Sequence, residues 1–122
     1  MSTAKPYPRI VKEVIKQSQS KKAKNICVLD IRKQSSAADY FIICHGDSDV
    51  QVKAISDAIL QGLKTEGFRP WHKEGYQYLH WVLIDYVDIV VHVFHRETRQ
   101  YYQLERIWGD AEIQIIQDEN EN

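Results

Sequence analysis

Positions 83–110 read LIDYVDIVVHVFHRETRQYYQLERIWGD. Two apolar, β-branched runs meet here at a polar point, and an aromatic, charged segment follows them. Runs of this kind read as strands joined by a tight turn, and the segment after them reads as helix. With Tyr86 and Val87 as the turn residues, Asp85 faces Asp88, Leu83 pairs with Val90 and Trp81 pairs with His92. Such turns favour Gly or Asn at positive φ, which makes Val87 an unusual occupant. Beyond the hairpin, Tyr101, Leu104 and Trp108 stand at helical spacing before Gly109, the expected stop.

Upstream, the pattern alternates between helix and strand. Ile10, Val11, Val14 and Ile15 recur at helical spacing after Pro8, and Lys21, Lys22 and Lys24 fall where a helix C-terminus welcomes positive charge. Ile26 to Ile31 and the run YFIIC at 40–44 read as buried strands, the second with both faces covered. Ser48 with Gln51 forms a capping box that starts a second helix. Val52, Ile55, Ile59 and Leu63 are its apolar stripe and Gly67 its stop. Pro70 confines the segment FRPWHKEG to a sheet edge. The predicted order is α-β-β-α-β-β-β-α, an α+β or mixed α/β sandwich with helices covering a mixed sheet. Residues 1–112 form one domain, and 113–122 are expected to be an acidic, disordered tail.

At 122 residues and 43% hydrophobic content the chain can bury a core without metal or disulfide staples. Its net charge of -1 gives no global basic field for nucleic acid. Cys27 and Cys44 sit in apolar runs without a CxxC spacing and read as buried reduced thiols. The apolar run Val87 to Phe94 is too short to cross a bilayer. The chain start has neither signal-peptide nor presequence architecture, so a cytoplasmic protein is expected.

Several chemistries were weighed against these residues. His92 and His95 lie three apart and point to opposite faces of a strand, and zinc needs further converging ligands, so no metal site is expected. Asp47 and Asp49 before a helix, with Asp85 and Asp88 on a later hairpin, faintly resemble a two-metal nucleotidyltransferase site. Asp47 and Asp49 are more naturally helix-start acids, stabilised by the dipole. No nucleophile elbow, GxGxxG or Walker A motif occurs, and the chain has only five glycines. No catalytic residue and no cofactor is assigned. The aromatics stand among acids, which would repel phosphate and leave little direct contact with nucleic acid. What remains is a protein-contact surface, because Tyr, Trp and Arg anchor interfaces and an acidic surround suits a basic partner. The competing reading places most of these aromatics in the core, with Tyr86, at a turn tip, the one expected outside.

Two blocks carry a more specific signal. DYFIICHGDSDVQVKAISDAI at 39–59 and WVLIDYVDIVVHVFHRETRQYYQLERIWGDA at 81–111 resemble the ribosomal silencing factor family, also called the Iojap family. The resemblance covers about Ile26 to Asp110. It implies a nucleotidyltransferase-like mixed sheet without catalytic acids. It also implies binding to the large ribosomal subunit through its fourteenth ribosomal protein, steric blocking of subunit association, and repression of translation under nutrient limitation. Organelle relatives act in large-subunit biogenesis, which is the alternative role. Asp39, Tyr40, Asp88, His92 and Trp108 fall in the family's motifs. Trp81, Asp85, Tyr86, Tyr102, Leu104 and Glu105 are the expected contact group. Val50 stands where the family favours Arg, Val87 where it favours Gly, and His45 where it favours Ser or Thr. A homodimer through the segment IQII or a sheet edge is a further possibility of the sequence.

Overall fold

A computed structural model describes residues 7–117. Its elements are α1 (Arg9–Ser20), β1 (Lys24–Asp30), β2 (Tyr40–Gly46), α2 (Asp49–Thr65), β3 (His72–Glu74), β4 (Trp81–Asp85), β5 (Ile89–His95) and α3 (Arg96–Tyr102). A 3-10 turn at Leu104–Trp108 and β6 (Glu112–Ile115) complete the chain. The strands form one six-stranded mixed sheet in the order β3-β4-β5-β2-β1-β6. This is the α+β architecture that the periodicity predicts.

The centre of the sheet is a parallel ladder between β2 and β5, running from Tyr40 beside Ile89 to Gly46 beside His95. Parallel central strands bury both faces, and the unbroken apolar character of the two runs follows from that. One face packs under α1 and α2. Val11 and Val14 from α1, and Val52, Ile55, Ile59 and Leu63 from α2, are fully buried there against Ile42, Ile84, Val91 and Val93. Each such side chain contributes about 1.5–3 kcal/mol when removed from water. The Ser48 hydroxyl caps α2 by accepting the Gln51 N–H at 3.1 Å. The Gln51 side chain accepts the Asp47 N–H and donates to the Lys21 and Lys22 carbonyls, which ties the end of α1 to the start of α2.

Four expectations are corrected. The hairpin register is two residues away from the one expected, with Asp85 beside Val90, Leu83 beside His92 and Trp81 beside Phe94. The cause lies at the tip. Val87 adopts φ 76°, the Asp88 N–H donates to the Tyr86 carbonyl, and the Asp85 carboxylate accepts the Val87 N–H at 2.7 Å. A bond from residue i+2 back to residue i is a γ-turn, so Val87 and Asp88 turn the chain in place of Tyr86 and Val87. A shift of two preserves which face each side chain meets.

The C-terminal helix is not continuous. Gln103 takes the left-handed conformation at φ 47°, ending α3 and starting the 3-10 turn. Tyr101 is therefore left 81% exposed while Leu104 is buried, so the expected common stripe does not form. The chain does not leave the fold at 113. Glu112–Ile115 pairs antiparallel with β1, and Tyr7 donates to Gln114 at 2.6 Å. The segment 113–116 thus pairs within the chain, its outer edge being the edge of the sheet. The rest of the expected tail, 118–122, lies outside the described residues. Fourth, Tyr86 is inside the α1–α2 core, 8% exposed, although its neighbours form the turn.

Val87 is 56% exposed, so its side chain packs little while its backbone sits where β-branched residues are strained. Val87→Gly is expected to stabilise the domain by about 1 kcal/mol, strain relief exceeding glycine's added unfolded-state entropy. Urea unfolding checks this, and an unchanged or lowered midpoint contradicts it.

Candidate functional site

The second face of the sheet is only half covered. Alternate residues of β4 (Trp81, Leu83, Asp85) and of β5 (Val90, His92, Phe94) face it, joined by Phe41 and Ile43 of β2. Leu104 packs beside Cys27, Leu29, Ile43 and Phe94, pinning the 3-10 turn across one end of this face. Beyond that turn lies an open groove of about 610 Å³, lined mainly by apolar groups. Phe41, Leu83 and Val90 form its floor with His92, while Trp71, Trp108, Ala37 and Asp85 stand round it.

Arg99 holds the cover in place. Its guanidinium donates to Glu105 through two nitrogens, at 2.7 and 3.0 Å, and also to the Asn25 carbonyl and to His45 Nδ1. Burial alone would raise the Glu105 carboxyl, but the Arg99 hydrogen bonds, a backbone hydrogen bond and the Arg99 charge together hold it low. His45 is pushed down to about 4 by burial and then by the Arg99 charge. The residue that departs from the family pattern at 45 thus serves as a neutral acceptor for Arg99.

His92 is 3% exposed and burial pushes it down to about 4. Trp81 Nε1–H donates to its Nδ1 at 3.1 Å. Trp81 in turn lies against Phe94, with ring centroids 4.7 Å apart, and against Tyr102 at 5.2 Å. Phe41 packs on His92 at 4.6 Å and edge-on to Trp108 at 5.5 Å.

The expected contact group is divided by these positions. Trp81, Asp85, Tyr102 and Glu105 do lie on or beside the half-covered face. Tyr86 and Leu104 do not offer a surface, since each is 8% exposed and they belong to opposite cores. Of the motif residues, Tyr40 is core, and His92 and Trp108 line the groove. Asp39 and Asp88 meet through the backbone, the Asp39 N–H donating to the Asp88 carbonyl at 2.7 Å. The sequence reading missed Phe41, Leu83, Val90 and Trp71. The period-two pattern of β4 and β5 held the signal for Leu83 and Val90, but not which face would be left open.

The two-metal arrangement fails on distance. Asp85 lies level with Phe41 at one end of the sheet, while Asp47 follows Gly46 at the other. Strand rise puts them roughly 20 Å apart, whereas paired ions sit about 4 Å from each other. Among the described residues, no three His, Cys, Asp or Glu side chains converge as metal ligands, and no helix is long and apolar enough to cross a membrane.

A mixed sheet with two helices on one face and a half-covered groove on the other places the chain in the α+β class. Residues 4–122 match the model of the family described as ribosomal silencing factor during starvation. A ribosomal silencing factor of Bacillus subtilis is 44% identical over 104 residues, covering 85% of this chain and 88% of that protein. A crystal structure from Chromobacterium violaceum superposes with a TM-score of 0.80 at 34% identity, over 91% of this chain and 93% of that one. A mouse protein named for mitochondrial assembly of the ribosomal large subunit is 32% identical over 89 residues, covering 70% of this chain and 39% of its own. The chain belongs to the ribosomal silencing factor family.

Two predictions follow from the buried polar groups. The Tyr86 hydroxyl is buried without a partner among the described residues, and burial pushes it up to about 12. Tyr86→Phe should therefore keep or raise stability, by up to about 1 kcal/mol, while Tyr86→Ala should cost about 3 kcal/mol. Loss of stability in the Phe variant, measured by urea unfolding, contradicts the assignment. His45 and His92 both titrate lower folded than unfolded, so their contribution is full above about pH 6.5 and is lost as pH falls through 4. Stability should drop across that window by up to about 3 kcal/mol per histidine, and a flat profile between pH 6.5 and 4 contradicts it.

Proposed function

We propose that this chain is a non-catalytic cytoplasmic repressor of translation. It binds the large ribosomal subunit through the fourteenth large-subunit ribosomal protein. From there it blocks association with the small subunit when nutrients are short. The observation that carries this reading is the half-covered sheet face. Single domains rarely leave a broad apolar groove open without using it to bind something. The groove is lined by Trp71 and Trp108, with Trp81 farther along the same sheet face and Tyr102 packed on it, the residue types that anchor protein interfaces. Asp85 on its wall suits a basic partner. Family membership supplies the ribosomal context.

Steric occlusion needs no group chemistry, only a rigid body held at the right place. The domain meets that need, because the floor of the face, Phe41, Leu83, Val90 and His92, is carried on strands. A second reading keeps the same face and the same partner but acts while the large subunit is being assembled. The mouse relative, whose name refers to that assembly, favours it.

Leu83 sits at the centre of the face, half-buried, between His92 and Glu74 in the strand register. Leu83→Glu is expected to weaken binding to isolated large subunits at least tenfold while the domain stays folded, since it places a charge in the apolar centre. Co-sedimentation of the folded variant at wild-type levels contradicts the proposed face.

A further inference from the structure

Trp81 decides the protonation state of the groove floor. An indole nitrogen only donates, so the 3.1 Å contact from Trp81 Nε1 makes His92 Nδ1 an acceptor. A neutral imidazole then carries its proton on Nε2. That Nε2–H is buried and has no partner among the described residues. The Trp108 Nε1–H, on the same groove, is in the same position. A buried donor without an acceptor is destabilising, because nothing offsets its lost hydration. Two of them at one groove are a cost that a bound acceptor removes.

The surroundings say which acceptor. Phe41, itself half-buried, packs against both donor rings, with centroids at 4.6 and 5.5 Å. The floor around them is otherwise hydrocarbon from Leu83 and Val90. Asp85 contributes a carboxylate to the same groove, and its charge opposes a carboxylate or phosphate as the ligand. A neutral carbonyl has no such conflict, and a basic residue next to it gains from Asp85.

We infer that the groove is a seat for neutral carbonyl groups of the protein partner, from backbone or side-chain amides, received by His92 Nε2–H and by Trp108 Nε1–H once Phe41 is displaced. The seat rests on the large-subunit binding proposed above and specifies its chemistry. Trp81 is then a positioning residue, since it fixes which nitrogen of His92 faces the partner as donor.

Asn and Gln separate the two ring nitrogens. In His92→Asn the amide oxygen replaces Nδ1 as acceptor for Trp81 and nothing reaches the Nε2 position. In His92→Gln the amide N–H₂ reaches that position. With the full chain and isolated large subunits, binding read by sedimentation should weaken at least tenfold for the Asn variant and stay within about threefold for Gln. Trp108→Phe should weaken it about fivefold, and carries the test if His92→Asn fails to fold. Wild-type affinity in folded His92→Asn, or equal losses in the Asn and Gln variants, overturns the seat while leaving large-subunit binding intact. Absence of binding by the wild-type chain overturns both.

Discussion

The parallel pairing of β2 with β5 is the constraint on which the other elements depend. It brings residues 40–46 beside residues 89–95, far apart in the chain, with no tight turn to assist them. Parallel neighbours need a crossover, here supplied by α2 together with the β3–β4 hairpin arm. Because α2 must lie on the sheet to make that crossing, its stripe of Val52, Ile55, Ile59 and Leu63 has one place to go. α1 then packs beside α2, and that face closes. α2 leaves the opposite face uncovered, and that face is closed in part by Ile31 and Ala38 of the β1–β2 connection and in part by the chain after β5.

That remaining chain is short, and it covers what it can. Gln103 breaks it into α3 and a 3-10 turn, which lets Leu104 reach the second core. Arg99 locks the arrangement by reaching back across the sheet end to Asn25 and His45 while holding Glu105. Truncating such an arginine would strand a partly buried carboxylate, so the tether has high stakes for the fold. The groove exists because the cover stops at Trp108. The open groove therefore results from topology and from the length of the closing segment.

Much of this was legible in the chain. The α2 stripe, its Ser48 cap and the two central strands are local signals with a clear period. Other features were not local. A γ-turn at a valine leaves no composition mark, so the hairpin register came out two residues off. The break at Gln103 lacks the glycine that usually announces a left-handed residue. β6 does alternate, as EIQI, but its polar residues read as tail until β1 is seen to need a neighbour. Tyr86 follows a strand whose alternation points it into the helix-covered core, and closeness to a turn misled the exposure estimate. Which sheet face stays open depends on where later elements end, so Phe41 and Val90 could not be chosen in advance.

The proposed mechanism is a rigid domain, seated by its half-covered face, that keeps the two ribosomal subunits apart. It is tested most directly by mixing the purified chain with isolated large subunits, adding small subunits, and resolving the products on a sucrose gradient. The account predicts that the chain travels with the large subunit and that full ribosomes fail to form in proportion to its occupancy. Full ribosomes forming normally while the chain stays bound to the large subunit would contradict it.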